Sequence, residues 1–127
     1  MKEELVKEWF ERGRHDLDVA NLLIKENVYL DVALFHIHQA VEKYIKGYLI
    51  YNGWELKKIH DLESLMTEAS SFDSEFEKYL DFGRKLSGYY YEERYPPGPI
   101  SSCTKKEIKE MQDVAEKIIR KLREGIK

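Results

Sequence analysis

The stretch Asp31–Asn52, DVALFHIHQAVEKYIKGYLIYN, constrains the fold more than any other part of the chain. At about 100° per residue, Leu34, Ile37, Val41, Tyr44, Ile45, Tyr48 and Leu49 fall within one broad stripe. Phe35, Ala40 and Ile50 widen the apolar surface beyond a single face. A helix apolar around so much of its circumference is a central one, touched by others on several sides. What remains polar is a strip of His36, Gln39, Lys43 and Lys46, with His38 and Glu42 beside it. His36, Gln39 and Lys43 step by three and four, so their side chains stack along one line. Asn52-Gly53 ends the run, and Gly53 supplies the left-handed residue that stops a helix.

The rest of the chain supplies partners for this helix. Leu5, Trp9, Phe10, Leu17, Ala20, Leu23 and Ile24 recur at helical spacing and predict a first helix over Glu3–Glu26. Gly13 interrupts it, and a close helix crossing there is the simplest reason. Asn27–Asp31 is a tight joint, which implies an antiparallel pair. After a connector, Gly53–His60, anchored by Trp54, a third helix is expected from Asp61, whose carboxylate caps it. A fourth is expected from Ser74, with Ser74 and Glu77 as a capping box and Phe76, Tyr79, Leu80, Gly83 and Leu86 as its face. Gly88–Cys103, GYYYEERYPPGPISSC, reads as a long loop, because its glycines and prolines stop a helix. Thr104 and Glu107 form a capping box for the last helix. Its face is Ile108, Met111, Val114 or Ala115, Ile118 and Leu122. The Lys105-Lys106 and Lys117–Lys121 charges read as a solvated face. The expectation is an all-α fold: one domain over residues 1–127, an antiparallel four- to five-helix up-and-down bundle.

Several functions are excluded by what the sequence lacks. It has no GxGxxG or GxxxxGK[ST] phosphate loop, no HExxH and no nucleophile elbow. One cysteine, Cys103, permits neither an internal disulfide nor a cysteine zinc site. His36 and His38 diverge by about 200° on a helix and cannot chelate together. No metal or cofactor is expected. A net charge of −3 argues against a general nucleic-acid coat and leaves only a local patch for such contacts. No apolar run approaches the roughly 20 residues of a membrane span, so a cytoplasmic protein without a membrane partner is expected.

Four motifs, in order, cover nearly the whole chain. Trp9-x-x-Arg12-Gly13-x-x-Asp16-Leu17-x-x-Ala20 opens it. Phe35-His36-x-x-Gln39-Ala40-x-Glu42-Lys43-x-x-Lys46-x-x-Leu49 follows, then Lys58-Ile59-His60-Asp61-Leu62, then Arg94-Tyr95-Pro96. This pattern resembles the HEPN domain family. The resemblance implies a helical bundle, commonly a homodimer, frequently paired with a minimal nucleotidyltransferase encoded alongside. Many HEPN proteins are RNA-cleaving toxins that carry Arg, four to six residues, then His. Here the last histidine is His60 and no Arg–His pair has that spacing.

Two readings of the polar residues stay open. In one, His36, Gln39, Lys43, Lys46, His60, Arg94 and Tyr95 bind a nucleotide or RNA, the cations meeting phosphate and the tyrosines stacking on bases. In the other they form a satisfied seam at helix crossings, with Asp16, Glu42 or backbone carbonyls as partners. A purely structural dimer would need only the second. The catalytic alternative, an RNase, would use His60 as general base and Arg94 to stabilise the transition state.

Overall fold

Two glycines set how the first two helices meet. The computed structural model describes residues 2–94 and 104–126, with the backbone alone for 90–94. Helix α1 is Lys2–Glu26 and α2 is Leu30–Tyr51. A Cβ on Gly13 of α1 would lie 2.7 Å from the Tyr44 ring of α2, and one on Gly47 of α2 would lie 2.7 Å from the Phe10 ring of α1. Each helix therefore receives one aromatic ring of the other, and the Phe10 and Tyr44 rings meet at 4.9 Å. The crossing expected at Gly13 is present, and the pairing is antiparallel.

The joint between them is short and strained. Asn27 takes the left-handed conformation (φ 56°) just past α1. The Val28 N–H reaches back to the Leu23 carbonyl and the Asn27 N–H to that of Ile24, which satisfies the frayed end of α1. Tyr29 is also left-handed (φ 47°) and precedes α2 without a side-chain cap. Asparagine takes that conformation routinely past a helix end, but a tyrosine there costs about 1–2 kcal/mol.

Helix α3 (Leu62–Ser70) begins as expected: the Asp61 carboxylate accepts from the Ser64 N–H. Leu62, Leu65, Met66 and Ala69 are buried. The next element differs from expectation. Ser74–Tyr79 is a 3₁₀ turn, and its cap is Asp73, which accepts from the Glu75 N–H, so the Ser74–Glu77 box is not the device used. That amide holds the Asp73 carboxyl below its ordinary range, helped by Lys121. Lys121 does not belong to a solvated face either. It donates to Glu75 at 2.7 Å, approaches Asp73 at 3.3 Å and sits over the Phe76 ring, tying the last helix to the turn.

Helix α4 (Leu80–Arg94) corrects the expected loop. The helix runs through Gly88 and the tyrosines, and its last residue stands two before Pro96. Tyr89 shows why the glycine is tolerated: it packs on the core and its hydroxyl donates to Glu107 at 3.1 Å. Residues 95–103, with Tyr95 and Cys103, lie outside the described residues. Helix α5 (Lys105–Glu124) opens on the Thr104–Glu107 capping box and buries Ile108, Met111, Ala115, Ile118 and Leu122. Backbone and hydroxyl donors of Thr104, with the Tyr89 hydroxyl, hold the Glu107 carboxyl low.

Helix α2 is the axis of the bundle. It contacts α1, α3, α4 and α5, and fourteen of its residues are buried. Among the described residues the regular elements are all helical, without strands. None of their helices is long and apolar enough to cross a membrane.

Candidate functional site

The polar strip of α2 divides between two carboxylates. On the side facing α1, Asp16 is buried and receives two groups. His36 Nδ1 lies 2.8 Å from Asp16 Oδ1, and Lys43 Nζ donates to Oδ2 at 2.5 Å. Helix arithmetic explains the meeting: His36 and Lys43 are two turns apart on one line, and Asp16 lies across the antiparallel crossing from both.

The second carboxylate, Glu42, belongs to α2 itself. Lys46, one turn on, donates to Glu42 Oε2 at 2.9 Å, and His60 Nδ1 approaches the same oxygen at 2.8 Å. His38 Nδ1, fully buried, faces Oε1 at 3.7 Å. The other His38 nitrogen lies 3.3 Å from Ser87 Oγ of α4, and that hydroxyl accepts the Leu62 N–H that opens α3. A hydroxyl that accepts from Leu62 retains its own proton for the ring. One network thus joins α2, α3, α4 and the connector. Lys46 is 3% exposed, and its charge is met by Glu42 and by the Trp9 ring, 5.7 Å away.

Of the residues singled out for ligand binding, four described side chains divide between the two carboxylates. His36 and Lys43 share Asp16. Lys46 and His60 share Glu42. Gln39 lies half-buried on α2. Arg94 is the last described residue of α4, known by its backbone alone, and Tyr95 lies outside the described residues. His60 is distinct in being open: its side chain is 61% exposed. Glu42 holds it through Nδ1, and Nε2 is the ring nitrogen outside that contact. Lys46, which shares the carboxylate oxygen, is buried and cannot reach a phosphate.

Sequence reasoning missed a cleft of about 290 Å³ beside Lys43. Leu5, Glu8, Trp9 and Arg12 of α1, Lys43 of α2 and Leu56 of the connector line it. Its lining is mostly apolar and includes two cations, Arg12 and Lys43, and the Glu8 carboxylate. Lys43 is engaged by Asp16. Arg12 gives one nitrogen to Glu8 at 2.8 Å, which leaves most of its donors available. The cleft draws on three separate segments, so no local pattern announces it. The Trp9 and Arg12 spacing in the opening motif was the available signal.

Comparison with known proteins agrees with the geometry. The chain is 29% identical over 135 residues to "Putative toxin MJ1304" of Methanocaldococcus jannaschii, covering 95% of this chain and 88% of that protein. The crystal structure of TT1696 from Thermus thermophilus superposes with a TM-score of 0.80 at 26% identity, covering 95% of this chain and 98% of that one. That of ST0689, described as an archaeal HEPN homologue, gives 0.76 at 26% identity, with 96% and 98% covered. The family model for the HEPN domain matches residues 6–125. That match takes in α1 from Val6 onward and the other four helices whole, and the chain belongs to the HEPN domain family.

Proposed function

We propose that this protein is the HEPN component of a two-gene, toxin–antitoxin-type system, a homodimeric module that docks a minimal nucleotidyltransferase encoded beside it. The observation that carries the reading is the internal neutralisation of α2: Lys43 is spent on Asp16 and Lys46 on Glu42. A nuclease centre needs a cation free to meet charge building on a phosphate, and the Arg–His spacing of the family's nucleases is absent from the sequence. The toxin described in Methanocaldococcus jannaschii supports the two-gene setting. The test is co-expression with the neighbouring transferase, followed by gel filtration at micromolar concentration. Elution as one complex is expected. Separate elution, or no transferase frame beside the gene, overturns the docking role.

A second reading has its own observation, the cleft beside Lys43. An aromatic wall beside Arg12 suits a nucleotide, with the base against Trp9 and Leu56 and the phosphate on Arg12. Arg12 is the informative residue, because it is exposed and its loss leaves the bundle intact. Wild-type protein is expected to gain thermal stability with excess nucleotide, by about 2.7 kcal/mol at a hundredfold excess over Kd. Arg12→Ala is expected to lose most of that gain. An equal gain in both proteins removes the cleft from consideration.

A further inference from the structure

Most of the exposed large apolar side chains of the described residues gather in one region. Among the described residues, Val19, Leu22, Val28, Tyr29 and Val32 are exposed, and all lie at the corner where α1 turns into α2. Leu22 is 59% exposed and Tyr29 72%. Single exposed apolar side chains need no explanation, but a cluster at one corner marks a contact surface. The strained backbone adds to this, since Tyr29 holds a left-handed conformation that throws its ring outward without capping α2.

Spacing shows what fits there. One line along α1 carries Leu5, Glu8, Arg12, His15, Val19, Leu22 and Glu26, all exposed. These residues alternate by three and four, the repeat of a seam between two helices. A second copy running antiparallel along this seam can be registered in more than one way. Centring the two-fold near Gly13 would place Arg12 and His15 of both copies at the middle, where charge is disfavoured. Centring it between Val19 and Leu22 sets each Val19 against the second copy's Leu22. In that register Glu26 comes opposite the second copy's His15, an acceptor against a donor. Tyr29, just past the end of α1, comes opposite the second copy's Arg12. An apolar centre, a polar rim and an aromatic–arginine contact result from one symmetry operation, so the surface is complementary to itself.

We infer that the α1–α2 corner is the surface through which two copies of this chain associate, antiparallel, with Val19 and Leu22 at the two-fold axis. This rests on the homodimeric part of the proposed function and names the face it uses.

The experiment is sedimentation velocity on the full chain and its variants at tens of micromolar. Wild-type protein is expected to sediment as a dimer, and Leu22→Glu as a monomer with an unchanged helical circular-dichroism spectrum. Glu26→Arg should weaken the dimer, and adding His15→Glu should restore it, which a merely structural role for either residue would not produce. If Leu22→Glu fails to fold, this charge-swap pair decides alone. A dimeric Leu22→Glu variant, or no restoration by the swap, overturns the surface and leaves the homodimer standing. A monomeric wild type overturns the homodimer and the surface together. A corner that contacts only the co-expressed transferase is seen as a monomer alone and a one-to-one complex with it, and also overturns the inference.

Discussion

The interior of α2 and the corner between α1 and α2 break the same rule in opposite directions. The first buries charge: Glu42 and Lys46 lie in the core beside His38. The second exposes apolar surface: Leu22, Tyr29 and their neighbours face water. The buried charges are answered within the chain, Glu42 by Lys46 and His60, Lys46 also by the Trp9 ring, and Asp16 by His36 and Lys43. The exposed apolar cluster has no answer among the described residues. Polar residues on a central helix are therefore weak evidence for a ligand when carboxylates can reach them. Apolar residues at a tight, strained turn are the better pointer to a partner.

The largest expected effect comes from breaking the inner network. Glu42→Ala leaves Lys46 buried without a counter-charge and takes the partner from His60. Removing one member of a buried pair costs about 3–5 kcal/mol, so the thermal midpoint should fall steeply. Replacing both members, as Glu42→Leu with Lys46→Met, should recover most of the loss, because it removes the desolvated charges together. If the double variant is no more stable than Glu42→Ala, the network does more than neutralise Lys46. Asp16→Ala should cost less, about 1.5 kcal/mol. Its partners His36 and Lys43 are a quarter exposed and regain water. Urea titrations of the three variants would rank them, and an Asp16 loss equal to that of Glu42 would erase the distinction between the two carboxylates.

Much of this was legible in the sequence for physical reasons. The periodic apolar run of Leu34–Leu49 fixed α2 as the axis, and Asp16 and Glu42, along with backbone carbonyls, were candidate partners because a buried glutamine or histidine must find hydrogen bonds. The caps at Asp61 and Thr104 followed from residue type and position. The extension of α4 did not, because Gly88 and the nearby prolines suggest a stop. The contact of Tyr89 with the core and with Glu107 offsets a glycine cost of about 1 kcal/mol and is not visible locally. Asp73 displaced Ser74 as a cap because it stands one residue earlier, where its carboxylate meets the Glu75 amide. The cleft escaped notice because Leu5 and Leu56 are far apart in the chain. The outer seam of α1 was present in the spacing, but the inner face drew the reading first.

A smaller effect sharpens the corner side of the comparison. Tyr29 sits at φ 47°, where glycine is unstrained and an L side chain is not. Tyr29→Gly should therefore stabilise the isolated fold by up to about 1 kcal/mol, while weakening association if the ring is a contact. Opposite signs in a melting curve taken at low concentration and in sedimentation at high concentration would show strain kept for binding. Equal signs would show a turn with no role beyond joining two helices.

The smallest expected effect belongs to the exposed caps, which supply the baseline for both regions. Asp73 and Glu107 have carboxyls held below their ordinary values of 3.8 and 4.5 by backbone amides. A lowered folded-state pKa contributes stability that is present above the ordinary value and is lost as pH falls through the folded one. Glu107→Gln should thus lower the melting point slightly at neutral pH. The gap from wild type should close as the solution is acidified below about pH 4. A gap that persists undiminished at pH 2 would mean that Glu107 acts through packing against Tyr89 rather than through its charge. The capping account of α5 would then fail while the buried network of α2, which uses none of these groups, stands as described.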